Sequence, residues 1–503
     1  METGGEPLAF MTAKRRSCDN THPNCFVDRT HQFSGTPVTS RFKMPTGTTV
    51  DALKGTKSPR LADALQSART NFTNANPRSF QSHLQATKFF PGGNTRTLLH
   101  SLPFPLTFKA AHSCYLTSLD DGTYVDFCGE YTSGIFGHNH PTIKEAIETV
   151  LQTGWNYGGI NDRESELARM VCERFKLDLV RFTNTGTEAS IMAIGAALAY
   201  TGRKSVLVFS DGFHGNVINF PVPRPEKSVV LPHQFIIAPF NDISGTDQVV
   251  LYQPADSLAA ILVEPVQGAG GAIPATSSFL QYLRNLANST GAVLIIDETM
   301  TSRLSYHGQA RKMGVQPDLM TLGKWIGGGM TFGAFGGKGR IMEMFDQDNG
   351  ILAHSGTFNN NVFSMTTGIA GMKIYSEEEV ERLNGIGNGM ITRLKKLLEQ
   401  YGVTGHPCDE NAKGINEVCP SIRLPRMYVS GVGGMLAVHF SGPEARILKS
   451  LFFHHLLQHD IYIASRGFIS LCLDITEEHV TKFVEAFEKF ACLFQDDLRF
   501  CWI

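Results

Sequence analysis

Short apolar runs and longer helical stretches alternate through the middle of the chain. Between residues 185 and 340, Val206–Phe209, Phe235–Ala238, Ala260–Val263, Val293–Ile296 and Leu319–Leu322 are apolar at nearly every position, as strands buried on both faces must be. The intervening helical stretches, Ile191–Tyr200 and a helix near Ser277–Ser289, are the crossovers that parallel strands require. The pattern predicts an α/β fold: a mainly parallel sheet with helices on both faces. The tail changes rhythm. Met435–Phe440 and Phe468–Leu473 read as strands, and Thr476 caps a helix whose one face carries Val480, Phe483, Val484, Phe487 and Phe490. A smaller α+β domain packed against the large sheet follows. At the front, residues 1–55 show no apolar periodicity and cannot bury enough surface to offset ordering entropy, so they read as a loose extension. A polar helix is predicted over Pro59–Lys88, stopped by Pro91-Gly92-Gly93. The predicted organisation is an extension (1–55), an N-terminal segment with a helix and small-domain strands (56–140), a large ligand-binding domain (141–375) and a C-terminal small domain (376–503).

Composition narrows the function classes. The chain has 503 residues, of which 42% are hydrophobic and 18% charged, a globular balance. Lys and Arg total 45 against 47 Asp and Glu, leaving a formal charge of −2 and no electrostatic case for nucleic acid or an anionic membrane. No apolar run approaches the roughly 20 residues of a membrane-spanning helix. Ten cysteines scattered without a CxxC pair make neither a disulfide framework nor a zinc site, and fit a reducing compartment. Glu2 and Glu6 argue against an acid-poor transit peptide, so the expected location is cytoplasmic, although Lys14-Arg15-Arg16 keeps a targeting role open. The stretch Pro407–Leu424, with Cys408 and Cys419, suggests no role.

Three local features carry candidate chemistry. Thr183-Asn184-Thr185-Gly186-Thr187-Glu188 gathers hydroxyls and free backbone N–H groups at a helix start, where the macrodipole favours an anion such as phosphate; simple capping by Thr185 or Thr187 is the plainer reading. The strand Val293–Ile296 ends in Asp297-Glu298, at the edge where such sheets place ligands, one carboxylate for the site and one for the scaffold. Alone, Asp297 could bind a metal, act as a base or pair with a protonated heteroaromatic nitrogen. No histidine cluster accompanies it, which disfavours metal. Lys324 ends another apolar strand, with Gly323 before it and Gly327-Gly328-Gly329 beyond, where close backbone and scarce water lower an ammonium pKa. An anion site, a partner for a pyridinium and an amine to hold an aldehyde together select pyridoxal 5'-phosphate.

Several ordered strings carry a family resemblance: Pro91-Gly92-Gly93-Asn94-Thr95-Arg96, Gly129-Glu130-Tyr131-Thr132, Met300-Thr301-Ser302-Arg303-Leu304, His354 through Asn361, and Ser465-Arg466-Gly467-Phe468. From Pro91 to Ile475 the chain resembles the class III aminotransferases of PLP fold type I, related to glutamate-1-semialdehyde aminomutase, and within them the branch acting on β-phenylalanine. The resemblance implies that Lys324 forms the Schiff base and shuttles the proton, and that Asp297 keeps the pyridine nitrogen protonated. It implies that Thr185, Gly186 and Thr187 hold the phosphate, joined by Thr357 from the second subunit of a homodimer. Phe213 stands where relatives usually stack a tyrosine on the cofactor, and Thr299 where they usually have a valine. Read without the family, Phe213 belongs to the core and His214 is an ordinary loop histidine. Arg96, Tyr131 and Arg466 are the implied substrate residues, the arginines gripping carboxylates in a bidentate fork or forming surface ion pairs.

The expected reaction is transfer of an amino group from a β-amino acid, or an aryl or alkyl relative, to a keto acid such as 2-oxoglutarate, by a ping-pong route. Internal amino shift and racemisation are the alternatives. The aminomutase pattern places asparagine where Glu264-Pro265-Val266-Gln267-Gly268 is followed here by Ala269, which weakens the mutase reading. A non-catalytic nucleotide-binding α/β protein is the remote alternative, since no phosphate-loop motif appears and Gly385–Gly389 fails the dinucleotide spacing.

Overall fold

A computed structural model describes residues 58–254, 256–403 and 425–499. The predicted extension 1–55 and all of Pro407–Leu424, including Cys408 and Cys419, lie outside the described residues. The organising element is a seven-stranded sheet in the order Leu179–Thr183, Gly333–Gly337, Leu319–Gly323, Val293–Asp297, Leu258–Val263, Ser205–Phe209 and Gln234–Ala238. Neighbours run parallel except at Gly333–Gly337, which is antiparallel to both its partners.

The strands Ser205–Phe209, Leu258–Val263 and Val293–Asp297 are buried along their whole length, so alternate side chains must find cover on opposite faces. Val206, Val208, Leu262 and Ile295 pack with Ala189, Ala193 and Ala197 of the helix Gly186–Thr201. Leu207, Ile261, Leu294 and Ile296 pack instead with Phe279, Leu280, Leu283 and Ala287 of the helix Ser277–Thr290. The alanine-lined helix lies close to the sheet, and its N-terminus therefore meets the carboxyl ends of the strands.

The remaining elements complete the expected smaller layer. Met427–Val432, Met435–Phe440 and Phe468–Ser470 form a three-stranded antiparallel sheet. Phe108–His112, Tyr115–Ser118 and Thr123–Asp126 form another, which Ile461–Tyr462 joins in parallel, so segments distant in sequence share one sheet. Thr476 and His479 build a reciprocal capping box on the helix Glu477–Leu493, whose Val480, Phe483, Phe487 and Phe490 are buried. Among the described residues no helix is long and apolar enough to cross a membrane.

Two expectations need correction. The helix predicted over Pro59–Lys88 is two, Pro59–Ala75 and Pro77–Ala86, with Asn76 at φ −129° between them. Proline disfavours helical geometry at the residue before it, yet suits the first position of a new helix. The strand expected over Phe468–Leu473 stops at Ser470. The glycine-rich strand Gly333–Gly337 packs closely on neighbouring backbone. A Cβ added at Gly333 would stand 2.2 Å from the carbonyl oxygen of Thr185, directly below the helix cap. Gly333→Ala should therefore lower stability by about 1–3 kcal/mol, the range for overpacking, read as a lower urea midpoint with unchanged slope. An unchanged midpoint would mean that this contact relaxes freely.

Candidate active site

The carboxyl ends of four strands converge on one cleft. Leu179–Thr183 leads into the helix cap at Thr185, Ser205–Phe209 into the loop carrying Phe213, Val293–Asp297 ends in the carboxylate itself, and Leu319–Gly323 delivers Lys324. Thr185, Gly186, Thr187, Phe213, Asp297, Thr299 and Lys324 all line this cleft, which encloses about 290 Å³, together with Ser133, His214 and Glu264.

Lys324 takes a left-handed backbone conformation, φ 57°, that side-chain-bearing residues seldom adopt. The next residue anchors it. Trp325 is fully buried, its Nε1 donates to Ser302 Oγ at 2.9 Å, and the guanidinium of Arg174 lies 4.7 Å from its ring. The Lys324 amine is lowered from its ordinary 10.5 to about 8, chiefly by burial and then by the charge of Arg96, against the opposing pull of Asp297.

Asp297 is buried and meets three hydrogen-bonding neighbours. Its Oδ2 meets His214 Nδ1 at 2.8 Å, while Oδ1 accepts from Thr321 Oγ1 at 2.9 Å and from the Thr299 N–H at 3.0 Å. Burial alone would raise this carboxyl; the hydrogen bond and charge of His214 and the donors from Thr299 outweigh it and hold the group below its ordinary value. Glu298 turns the other way, accepting from Thr301 Oγ1 and, at 2.8 Å, from the Ala310 N–H. The two adjacent carboxylates thus divide between site and scaffold.

At the helix start, Thr185 is the cap, its Oγ1 accepting from the Glu188 N–H at 3.2 Å. The first turn's remaining N–H groups have no intrahelical acceptor and open on the cleft. Thr299 Oγ1 is buried on the cleft wall against Gly186. A Cβ at Gly215 would stand 2.4 Å from Thr187 Oγ1, so glycine keeps that side of the cradle open. An anion seat, an ionised carboxylate and a lowered amine within one cleft fit pyridoxal phosphate. Thr357 is exposed and does not line the cleft of its own chain.

Arg96, Tyr131 and Arg466 form a second cluster. Both guanidiniums face the Tyr131 ring, at 5.4 and 5.8 Å from its centroid, and the ring stacks on Phe468. Arg96 is ion-paired with Glu130.

Reading residue by residue along the chain misplaced two side chains and overlooked a third. Phe213, taken alone as core, is 36% exposed in the cleft. His214, taken as an ordinary loop histidine, is buried against Asp297, and its own pKa is raised because that carboxylate outweighs the effect of burial. Glu264 was not singled out. It is buried in the cleft wall, accepts from the Phe213 and Gly268 N–H groups at 2.9 and 3.0 Å, and is pushed up to about 7 by burial, with Asp297 adding to the rise and His214 opposing it. Its signal was available: like Asp297, it stands where a buried strand ends.

This fold and cleft define a fold type I pyridoxal-phosphate enzyme, and the chain matches the family model described as Aminotransferase class-III over residues 99–406. It belongs to that family and is a pyridoxal-phosphate-dependent transaminase. Among similar proteins, beta-phenylalanine transaminase of Variovorax paradoxus is 41% identical over 439 residues, spanning 85% of this chain and 95% of that protein. Glutamate-1-semialdehyde 2,1-aminomutase of Ignicoccus hospitalis is 36% identical over 346 residues, spanning 65% and 79%. The crystal structure of a beta-phenylalanine aminotransferase from Variovorax paradoxus superposes with a TM-score of 0.80 at 39% identity, covering 88% of this chain and 100% of that one. An omega-transaminase from Sphaerobacter thermophilus gives 0.73 at 31% identity, covering 84% and 98%.

The lowered amine has a measurable consequence. Only the neutral form attacks an aldehyde, so covalent capture of pyridoxal phosphate by cofactor-free protein should accelerate as pH rises through about 8 and then level off. A capture rate still climbing as pH nears the ordinary lysine value would contradict the lowered amine.

Proposed function

We propose that this transaminase moves the amino group of a β-amino acid, or a related aromatic or aliphatic amino acid, to a keto acid such as 2-oxoglutarate, each substrate using the same cleft in turn. The observation that carries this reading is the guanidinium pair Arg96 and Arg466, both facing Tyr131, with the Arg96 charge reaching the Lys324 amine; guanidiniums are suited to carboxylates. The similarity to a protein named beta-phenylalanine transaminase supports it.

When bound, pyridoxal phosphate supplies an aldehyde that captures amines and a ring that accepts the electron pair left by a departing proton. Thr185, Gly186 and Thr187 hold the phosphate at the helix start. Asp297, kept ionised by His214 and its neighbours, would accept from the ring N–H, and Phe213 and Thr299, which line the same cleft, would help hold the group. Lys324, its amine lowered to about 8, would hold the cofactor's aldehyde and carry a proton on its nitrogen. Tyr131 is the plate against which the two arginines are set, its hydroxyl donating to the Leu98 carbonyl at 3.2 Å.

The working unit we infer is a homodimer in which Thr357 completes the phosphate site of the other copy. Supporting this, Thr357 is exposed beside Phe358, 59% exposed, and the neighbouring loop presents Trp155 and Ile160, the latter 92% exposed. The two segments are tied by Asn360 Nδ2 donating to the Gly159 carbonyl at 3.1 Å. Such an apolar patch favours contact with another protein surface.

An internal amino shift is the second reading, favoured by relatives named glutamate-1-semialdehyde 2,1-aminomutase. The two differ in stoichiometry. Holoenzyme given 3-amino-3-phenylpropanoate alone should release one equivalent of keto product per site and turn over further only when 2-oxoglutarate is added; an unchanged cofactor spectrum would count against the β-amino acid reading. Lys324→Ala should lower kcat by several orders of magnitude, and retained multiple turnover would remove Lys324 from its role.

A further inference from the structure

The segment Gly129–Thr132 is unusual before any function is considered. Glu130, Tyr131 and Thr132 are consecutive side-chain-bearing residues with φ of 46°, 53° and 81°, following Gly129 at 50°. Left-handed backbone is unfavourable at non-glycine residues, and a run of three persists only where its surroundings impose it. They do. Asp126 Oδ1 accepts from the Cys128 and Gly129 N–H groups at 2.8 and 3.2 Å, and a Cβ at Gly129 would stand 2.5 Å from the Ser470 carbonyl oxygen.

This enforced turn presents Tyr131 to both guanidiniums and Glu130 to one of them. Ser133, directly after it, lines the Lys324 cleft. The arginines are thereby made unequal. Arg96 is ion-paired with Glu130, whereas among the described residues no carboxylate pairs with Arg466. The Arg96 pair is open to solvent, with 40% and 57% of the two side chains exposed, and exposed pairs of this kind contribute little stability. A weak ion pair held by a costly turn has little value as a structural brace. It is suited to being broken. The charges of Arg96 and Glu130 also both reach the Lys324 amine, in opposite senses, which places them within electrostatic range of the reacting centre.

We propose that Glu130 is a specificity-determining residue: its carboxylate occupies Arg96 between turnovers, and only a substrate bearing its own carboxylate displaces it. This rests on the reading of Arg96 as a carboxylate receiver. Arg466 takes a carboxylate without competition. Arg96 takes one only against Glu130, so the pair tunes how strongly the enzyme favours an amino acid over an amine of the same skeleton. No covalent step is involved; one ion pair is exchanged for another.

The test compares KM for 3-amino-3-phenylpropanoate with KM for 1-phenylethylamine, the same skeleton without the carboxylate. The variants are Glu130→Gln, which keeps the shape, and Glu130→Asn, which tolerates the left-handed backbone best. Removing the competing charge should lower KM for the acid relative to the amine by about two- to five-fold, the range spanned by exposed ion pairs. In an Arg96→Gln background, where KM for the acid is itself raised, the same changes should have no further effect on the ratio. An unchanged ratio in both variants overturns the proposal, and so does an equal fall in the Arg96→Gln background, which would mark a diffuse charge effect. These outcomes are separable from failure of the functional reading. If wild-type enzyme does not turn over 3-amino-3-phenylpropanoate, the substrate class is wrong; if it does and Arg96→Gln raises KM, but neither Glu130 variant moves the ratio, only the role of Glu130 falls.

Discussion

A negative charge held where water is scarce is the constraint around which this molecule is arranged. Asp297 closes a strand that is buried along its whole length, and the group stays ionised because His214, Thr321 and the Thr299 backbone each offer it a hydrogen bond. Glu264, in the same wall, is pushed toward its neutral form by burial and by the Asp297 charge. The environment thus assigns the charge to one carboxylate of the two, at the end of the central strand, and that assignment makes the cleft suitable for a protonated heteroaromatic ring.

Strain is placed with equal economy. Lys324 and the run Glu130–Thr132 are left-handed where side chains must be aimed, and each is enforced by buried neighbours: Trp325 boxed by Ser302 and Arg174, and Gly129 pressed on Ser470. Elsewhere the chain solves close approach with glycine, as at Gly333 beneath the Thr185 cap. The result is a sheet edge at which anion seat, carboxylate and amine are presented by separate elements sharing one rigid support.

Much of this was legible in the residues. The doubly buried runs announced the parallel sheet, because a strand covered on both faces has no polar side to show. Thr185 and Thr187 before a helix, Asp297 at a strand end and Lys324 among glycines pointed to the cofactor, since each chemistry has a local backbone requirement. His214 escaped because its importance lies in a partner 83 residues away, and no local pattern records such a distance, whereas Glu264 stands at a strand end that the residues do mark. The break at Asn76 was written in Pro77, a single breaker that the polar periodicity on either side concealed.

By itself, then, the order of residues determined the fold class, the cofactor chemistry and the family, because periodicity, caps and strand ends are short-range properties that survive in one dimension. Only the folded chain decided which ionisable groups would share a charge, which arginine would stand free and which would rest on a carboxylate, and how a turn at residues 129–132 would be forced left-handed. Those outcomes depend on desolvation and on contacts between distant segments, and both exist only after the sheets have closed over them.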